Sequence, residues 1–94
     1  MPTKGPVQKL SVPPSPQIDL RGVRPPEARA RAFTGMFRVR PGQKVVMLVS
    51  TADVEQEIMN WVAEIGHRHL KNLRVETNGS AHVAIEMIKM ESRR

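Results

Sequence analysis

The most regular pattern in the chain lies between residues 54 and 65. Val54, Ile58, Trp61, Val62 and Ile65 recur there at i, i+4, i+7, i+8 and i+11, which lays one apolar stripe along a helix. Asp53 is expected to cap this helix, with Gln56 three residues on as its reciprocal partner, and Gly66 to end it. Upstream, "KVVMLVS" at residues 44–50 is an unbroken β-branched and apolar run, the mark of a central strand. Alternation along it sets Val46 and Leu48 toward the helices, and Val45, Met47 and Val49 toward the other side. A second helical pattern runs from Pro26, where Ala28, Ala32, Phe33, Met36 and Phe37 share one face. Pro41-Gly42 then supplies a turn.

"QIDL" at residues 17–20 is a short strand candidate, ended by Gly22. Toward the other terminus, Leu73, Val75 and Thr77 alternate with Arg74 and Glu76, and Asn78-Gly79 suits a type I′ turn. Val83, Ile85 and Met87 alternate with His82, Ala84 and Glu86 in the returning strand, with Ile88 and Met90 on the side opposite the first three. The order strand, helix, strand, helix, strand, strand predicts an α/β two-layer sandwich: βαβαββ, a four-stranded mixed sheet with two helices on one face. Val45, Met47, Val49, Ile88 and Met90 would then form an apolar patch on the open sheet face. Such a patch marks a protein contact, unless the N-terminal segment covers it. Residues 1–16 hold five of the eight prolines and few apolar side chains, so they read as a disordered tail. The domain spans 17–90, followed by a C-terminal tail at 91–94.

Composition narrows the chemistry. The 94 residues allow one small domain, and the chain has no cysteine, which excludes disulfides, thiolate metal sites and a cysteine nucleophile. Fifteen Lys and Arg against nine Asp and Glu give a formal charge of +6, a balance that favours acidic partners. No apolar run approaches the roughly 20 residues that a membrane helix needs. No apolar signal segment is present either, so the expected location is the cytoplasm.

Several of these stretches together carry a resemblance. "DLRGVRPPEA", "RPGQKVVMLVS", the amphipathic helix and the hairpin "ETNGSAHVAIEMIK" resemble the TusA (SirA-like) sulfur-carrier family over about residues 18–90. The most specific parts are Asp19, Gly22, Pro26 and Glu27 around the first helix start, and Pro41-Gly42 before the apolar strand. The resemblance implies a βαβαββ sandwich with a Cys-Pro-x-Pro motif at the start of the first helix, whose cysteine carries sulfur as a persulfide. A helix N-terminus favours an anion, and so lowers the pKa of a thiol placed there. Here Pro25 stands at the position of that cysteine and Ala28 at that of the second proline, while Pro26 suits the first helical position. Proline has no nucleophile, so the family's sulfur transfer cannot proceed at Pro25. The resemblance therefore implies a non-catalytic protein-binding or adaptor module, not an enzyme, and no cofactor.

Arginines crowd this same region. Arg21, Arg24, Arg29, Arg31, Arg38 and Arg40 face only Glu27 between residues 21 and 40. Arg21, Arg24, Arg29 and Arg31 are the candidate contacts for an acidic protein partner. At about 100° per residue, Arg31 and Arg38 point away from the apolar face, while Arg29 leans over the vacated sulfur position. A small basic nucleic-acid-binding domain is the alternative, since the topology resembles the C-terminal domain of bacterial translation initiation factor three. Aromatic residues make up only 3% of the chain, too few for a base-stacking platform. His67 and His69 near the end of the second helix, with His82, lack a carboxylate at ligand spacing and read as dipole contacts, not as a metal site. Trp61 reads as a core residue, and no paired catalytic groups suggest another enzyme.

Overall fold

The structure is a computed structural model, and it describes residues 15–91. Apart from Ser15 and Pro16, the expected N-terminal tail lies outside the described residues, as do residues 92–94 of the C-terminal one. Strand β1 (Gln17–Asp19) leads through helix α1 (Pro25–Gly35) and a 3-10 turn (Met36–Arg38) to β2 (Lys44–Val49). Helix α2 (Ala52–Ile65) follows, then β3 (Arg68–Thr77) and β4 (Ser80–Ile88). The sheet order is β1-β2-β4-β3, with β1 parallel to β2 and the other two pairings antiparallel. This is the expected mixed four-stranded sheet with two helices. The parallel pair needs a crossover, which α1 provides. The β3–β4 hairpin closes at Asn78 and Gly79, whose φ values of 51° and 80° are those of the expected type I′ turn. Among the described residues no helix is long and apolar enough to cross a membrane.

The sheet faces are the reverse of the expectation. Val45, Met47 and Val49 are fully buried in the core, paired with Met87, Ile85 and Val83 of β4. Val46, opposite Glu86, and Leu48, opposite Ala84, lie on the open face. Both faces of β2 are apolar, so alternation alone could not say which one the helices cover; a shift of one residue exchanges the two sets. Ile88 does belong to the open face, across from Lys44, but Met90 lies past the end of β4. The open face is thus apolar through Val46, Leu48, Leu73, Val75, Ala84 and Ile88. A Lys44–Glu86 ion pair crosses it at 3.2 Å. Strand β3 begins at Arg68, five residues before Leu73, so His69 lies in the sheet and not at a helix end.

Both helices bury narrower stripes than their sequences suggest. In α1, Ala28 and Ala32 are buried, with Met36 just beyond, whereas Phe33 is 53% and Phe37 70% exposed. Small alanines bring α1 close to the sheet, and the phenylalanines fall on its flank. Gly35 takes this closeness furthest: a Cβ there would lie 2.8 Å from Cδ1 of Ile18 and 3.0 Å from its Cγ1. In α2, Val54, Ile58, Trp61 and Val62 are buried but Ile65 is 51% exposed. The α2 cap is Thr51, not Asp53: its hydroxyl accepts from the Val54 N–H at 3.4 Å. Asp53 sits inside the first turn and also accepts from Val54, at 3.0 Å. The Thr51 hydroxyl holds the Asp53 carboxyl below the usual carboxylate range. Gly66 ends α2 as expected, with φ +95° and its N–H donating to Val62.

One ion-pair cluster joins the helices. Arg29 does not lean over the start of α1. Its Nε lies 2.5 Å from Glu57 and its Nη1 2.7 Å from Glu64, both on α2. Two carboxylates seven residues apart share one face of α2 and draw the guanidinium across.

Two variants test this packing. Gly35→Ala is expected to destabilise the fold by about 1 kcal/mol in urea unfolding, because crowding Ile18 outweighs the gain in helix propensity. The loss should shrink in an Ile18→Val background, which removes Cδ1. Arg29→Met is expected to lower the melting temperature near neutral pH. Arg29 holds the Glu64 carboxyl below its ordinary value, so its contribution exists above the unfolded carboxylate range and is lost as pH falls through the folded one. The melting curves of variant and parent should therefore converge in acid.

Candidate functional site

The start of α1 is built from the end of β1 and the turn that follows. Leu20 is fully buried and its N–H donates to the Leu48 carbonyl at 2.8 Å, which anchors the chain beside β2. Asp19 accepts from the Arg21 backbone N–H at 3.0 Å and from both sides of its guanidinium at 2.8 Å. This grip, chiefly the side-chain hydrogen bond, holds the Asp19 carboxyl at about 2. Gly22 turns the chain at φ +82°, a conformation glycine takes without strain, and its N–H donates to the Ser50 hydroxyl at 3.0 Å. The Asp19-x-x-Gly22 element is therefore a turn that fixes where the helix begins.

Arg24 caps α1 in an extended conformation, φ −80° and ψ 157°, as a residue before proline must. The helix starts at Pro25, one residue earlier than the sequence suggests. Pro25 occupies the first helical position and Pro26 the second. Neither has an N–H. The Ala28 N–H already donates to the Arg24 carbonyl at 2.8 Å, so Glu27 supplies the remaining amide of the turn. Its own carboxylate sits there as well, 2.8 Å from Arg31. An anion at this helix start would find one amide instead of several, next to an existing negative charge. The guanidinium groups, not the backbone, are what an acidic partner could use.

Those groups are unequal. Arg21 pairs with Asp19 and Arg31 with Glu27, and all four side chains are roughly half exposed. Arg24 makes no ion pair among the described residues. Arg29 is committed to α2, so Arg21, Arg24 and Arg31 remain at the outer surface of the helix start.

The histidines do not converge. His67 Nδ1 accepts from the Met90 N–H at 3.1 Å, and its ring lies 5.4 Å from that of Trp61. Burial, with the nearby Lys89 charge, pushes the His67 pKa down. His69 Nε2 lies 2.8 Å from the Asn72 side-chain oxygen, and His82 is on the open sheet face. Among the described residues, no three His, Asp or Glu side chains gather as a metal would require.

The sequence reading missed a groove at the opposite end of the helices. It encloses about 820 Å³ and is lined by Phe33, Phe37, Trp61, Ile65, His67 and Met90, among others. Its signal was present: Phe33, Phe37 and Ile65 are the apolar positions at the edges of the two helical stripes, too many for stripes that narrow.

Comparison with solved structures gives the same architecture. A SirA-like protein from Desulfitobacterium hafniense is similar in structure, with a TM-score of 0.58 and 17% identity over 80% of this chain and 97% of that one. No protein-family profile and no curated protein matches the sequence. At that identity the likeness is one of fold: this chain has a SirA-like fold, a mixed four-stranded sheet carrying two helices.

Proposed function

We propose that the chain is a sulfur-carrier-like domain of the TusA type without the carrier chemistry, acting as a non-catalytic module that binds an acidic protein. One observation carries the reading: Pro25 occupies the first position of α1, where the resemblance calls for the persulfide cysteine. The SirA-like fold supports the sulfur-carrier-like architecture, and a chain with no cysteine has no thiol to accept sulfur. The turn that positions the helix start is intact, with Asp19, Arg21 and Gly22 all engaged. What this start offers is charge. Among the described residues Arg24 makes no ion pair, and an exposed pair such as Arg31–Glu27 is worth about 0–1 kcal/mol, so it exchanges partners at little cost. Nucleic acid gains no comparable support, because all three aromatic residues lie at the other end of the molecule.

Incubation with a cysteine desulfurase and cysteine tests the chemical half. The unaltered protein is expected to gain no sulfur by intact mass. In Pro25→Cys, the new thiolate can attack the outer sulfur of the desulfurase persulfide and release the desulfurase thiolate. That variant is expected to gain one sulfur, removable by dithiothreitol. A sulfur adduct on the unaltered chain would overturn the reading.

The binding half is tested with an oligo-glutamate peptide as probe. Arg24→Glu with Arg31→Glu is expected to weaken its binding by about tenfold or more and leave the melting temperature nearly unchanged. Equal affinity in parent and variant would move the acidic contact elsewhere.

A further inference from the structure

Every aromatic residue of the chain lies in the groove at the C-terminal ends of α1 and α2. Phe33 and Phe37 stand edge to face on one wall, ring centroids 5.0 Å apart, and the single tryptophan, Trp61, is buried behind them. Ile65 and Met90, the latter 44% exposed, complete the apolar lining. A protein this small rarely leaves so much apolar side chain together in water unless something covers it. Its volume of about 820 Å³ lies within the range of ligand-binding clefts.

The surroundings of the groove select the charge of what binds. Both helices end here, with the negative ends of their dipoles, and neither has a basic residue in its last turn. The carboxylates of Glu64 and Glu91 stand at the rim. Glu64 shares the Arg29 guanidinium with Glu57, so that trio keeps one net negative charge. Lys89 also lines the groove, but its ammonium donates to the Met36 and Val39 carbonyls at 2.8 and 2.7 Å and so offsets the end of α1, which leaves Glu64, Glu91 and the end of α2 as the negative groups. His67 accepts a hydrogen bond on Nδ1 and is neutral in that arrangement. In a chain of formal charge +6, the described residues around this apolar groove thus carry more negative than positive charge.

We propose that this groove docks a short segment of another protein that presents bulky apolar residues next to lysine or arginine. The apolar side chains lie against Phe33, Phe37 and Ile65, and the cations reach Glu64 and Glu91 and the ring faces. This surface is separate from the arginine-rich start of α1, and the inference stands whether or not that reading holds.

Trp61 emission in the full chain reports on the groove. Two probes serve: an amphipathic peptide of leucine and lysine, and its counterpart with glutamate in place of lysine. The leucine–lysine peptide is expected to shift the emission saturably and to bind at least tenfold tighter. Net charge alone would give the opposite order. Phe37→Ala, at a side chain 70% exposed, is expected to cost at least tenfold in affinity with the melting temperature held, while Leu73→Ala on the open sheet face changes neither. Preference for the glutamate peptide, or indifference to Phe37→Ala, would overturn the proposal. So would two results without any peptide. A Trp61 shift that tracks self-association in sedimentation, and is lost in Phe37→Ala, would assign the groove to a second copy. A shift on deleting residues 2–14 would assign it to the chain's own N-terminal segment.

Discussion

The structure rests on one face of its two central strands. Val45, Met47 and Val49 of β2 and Val83, Ile85 and Met87 of β4 pair residue by residue, and they form the surface onto which both helices pack. Ala28, Ala32 and Met36 cover it from one side, and Val54, Ile58, Trp61 and Val62 from the other. Each large side chain buried there contributes about 1.5–3 kcal/mol, and among the described residues no buried polar or charged group interrupts the cluster. Among the described residues this is the one core cluster, so the placement of the other elements follows from this ladder.

The helix start inherits its position from that core. Leu20 is buried against β2 and the Gly22 N–H is fastened to Ser50, so the chain enters α1 at a fixed point. Two prolines then preset the backbone of the first turn. The result is a well-positioned helix terminus whose first two residues, both proline, offer no N–H. What the helix start exposes is side-chain charge, in the guanidinium groups of Arg21, Arg24 and Arg31.

Periodicity reveals the elements here more readily than their orientation. The α2 stripe from Val54 to Val62, the Asn78-Gly79 turn, the order of the elements and the Gly66 cap follow from local rules, and the structure agrees with each. The facing of β2 does not, because Val45 through Val49 offer two equally apolar sides and only the partner strand decides between them. Phe33 and Phe37 look like core residues by spacing, yet Gly35 and the alanines draw α1 so close to the sheet that its burial narrows to a line. Arg29 could not be assigned because its partners, Glu57 and Glu64, lie about thirty residues away. The groove escaped notice for the same reason: its walls come from the ends of three elements that meet only in the folded chain.

The long outer strand gives the basic composition a second meaning. β3 runs ten residues along one margin of the sheet, with its unpaired backbone groups open to any other extended chain. Arg68, Lys71 and Arg74 are spaced along it. A second β3 laid parallel and in register along this edge would bring like charges together at close range. The opposite margin is guarded by brevity, since β1 has only three residues and is preceded by Pro16, which has no N–H to donate. Positive side chains spaced along an outer strand, like a short and proline-flanked strand at the other margin, are features that discourage edge-to-edge pairing.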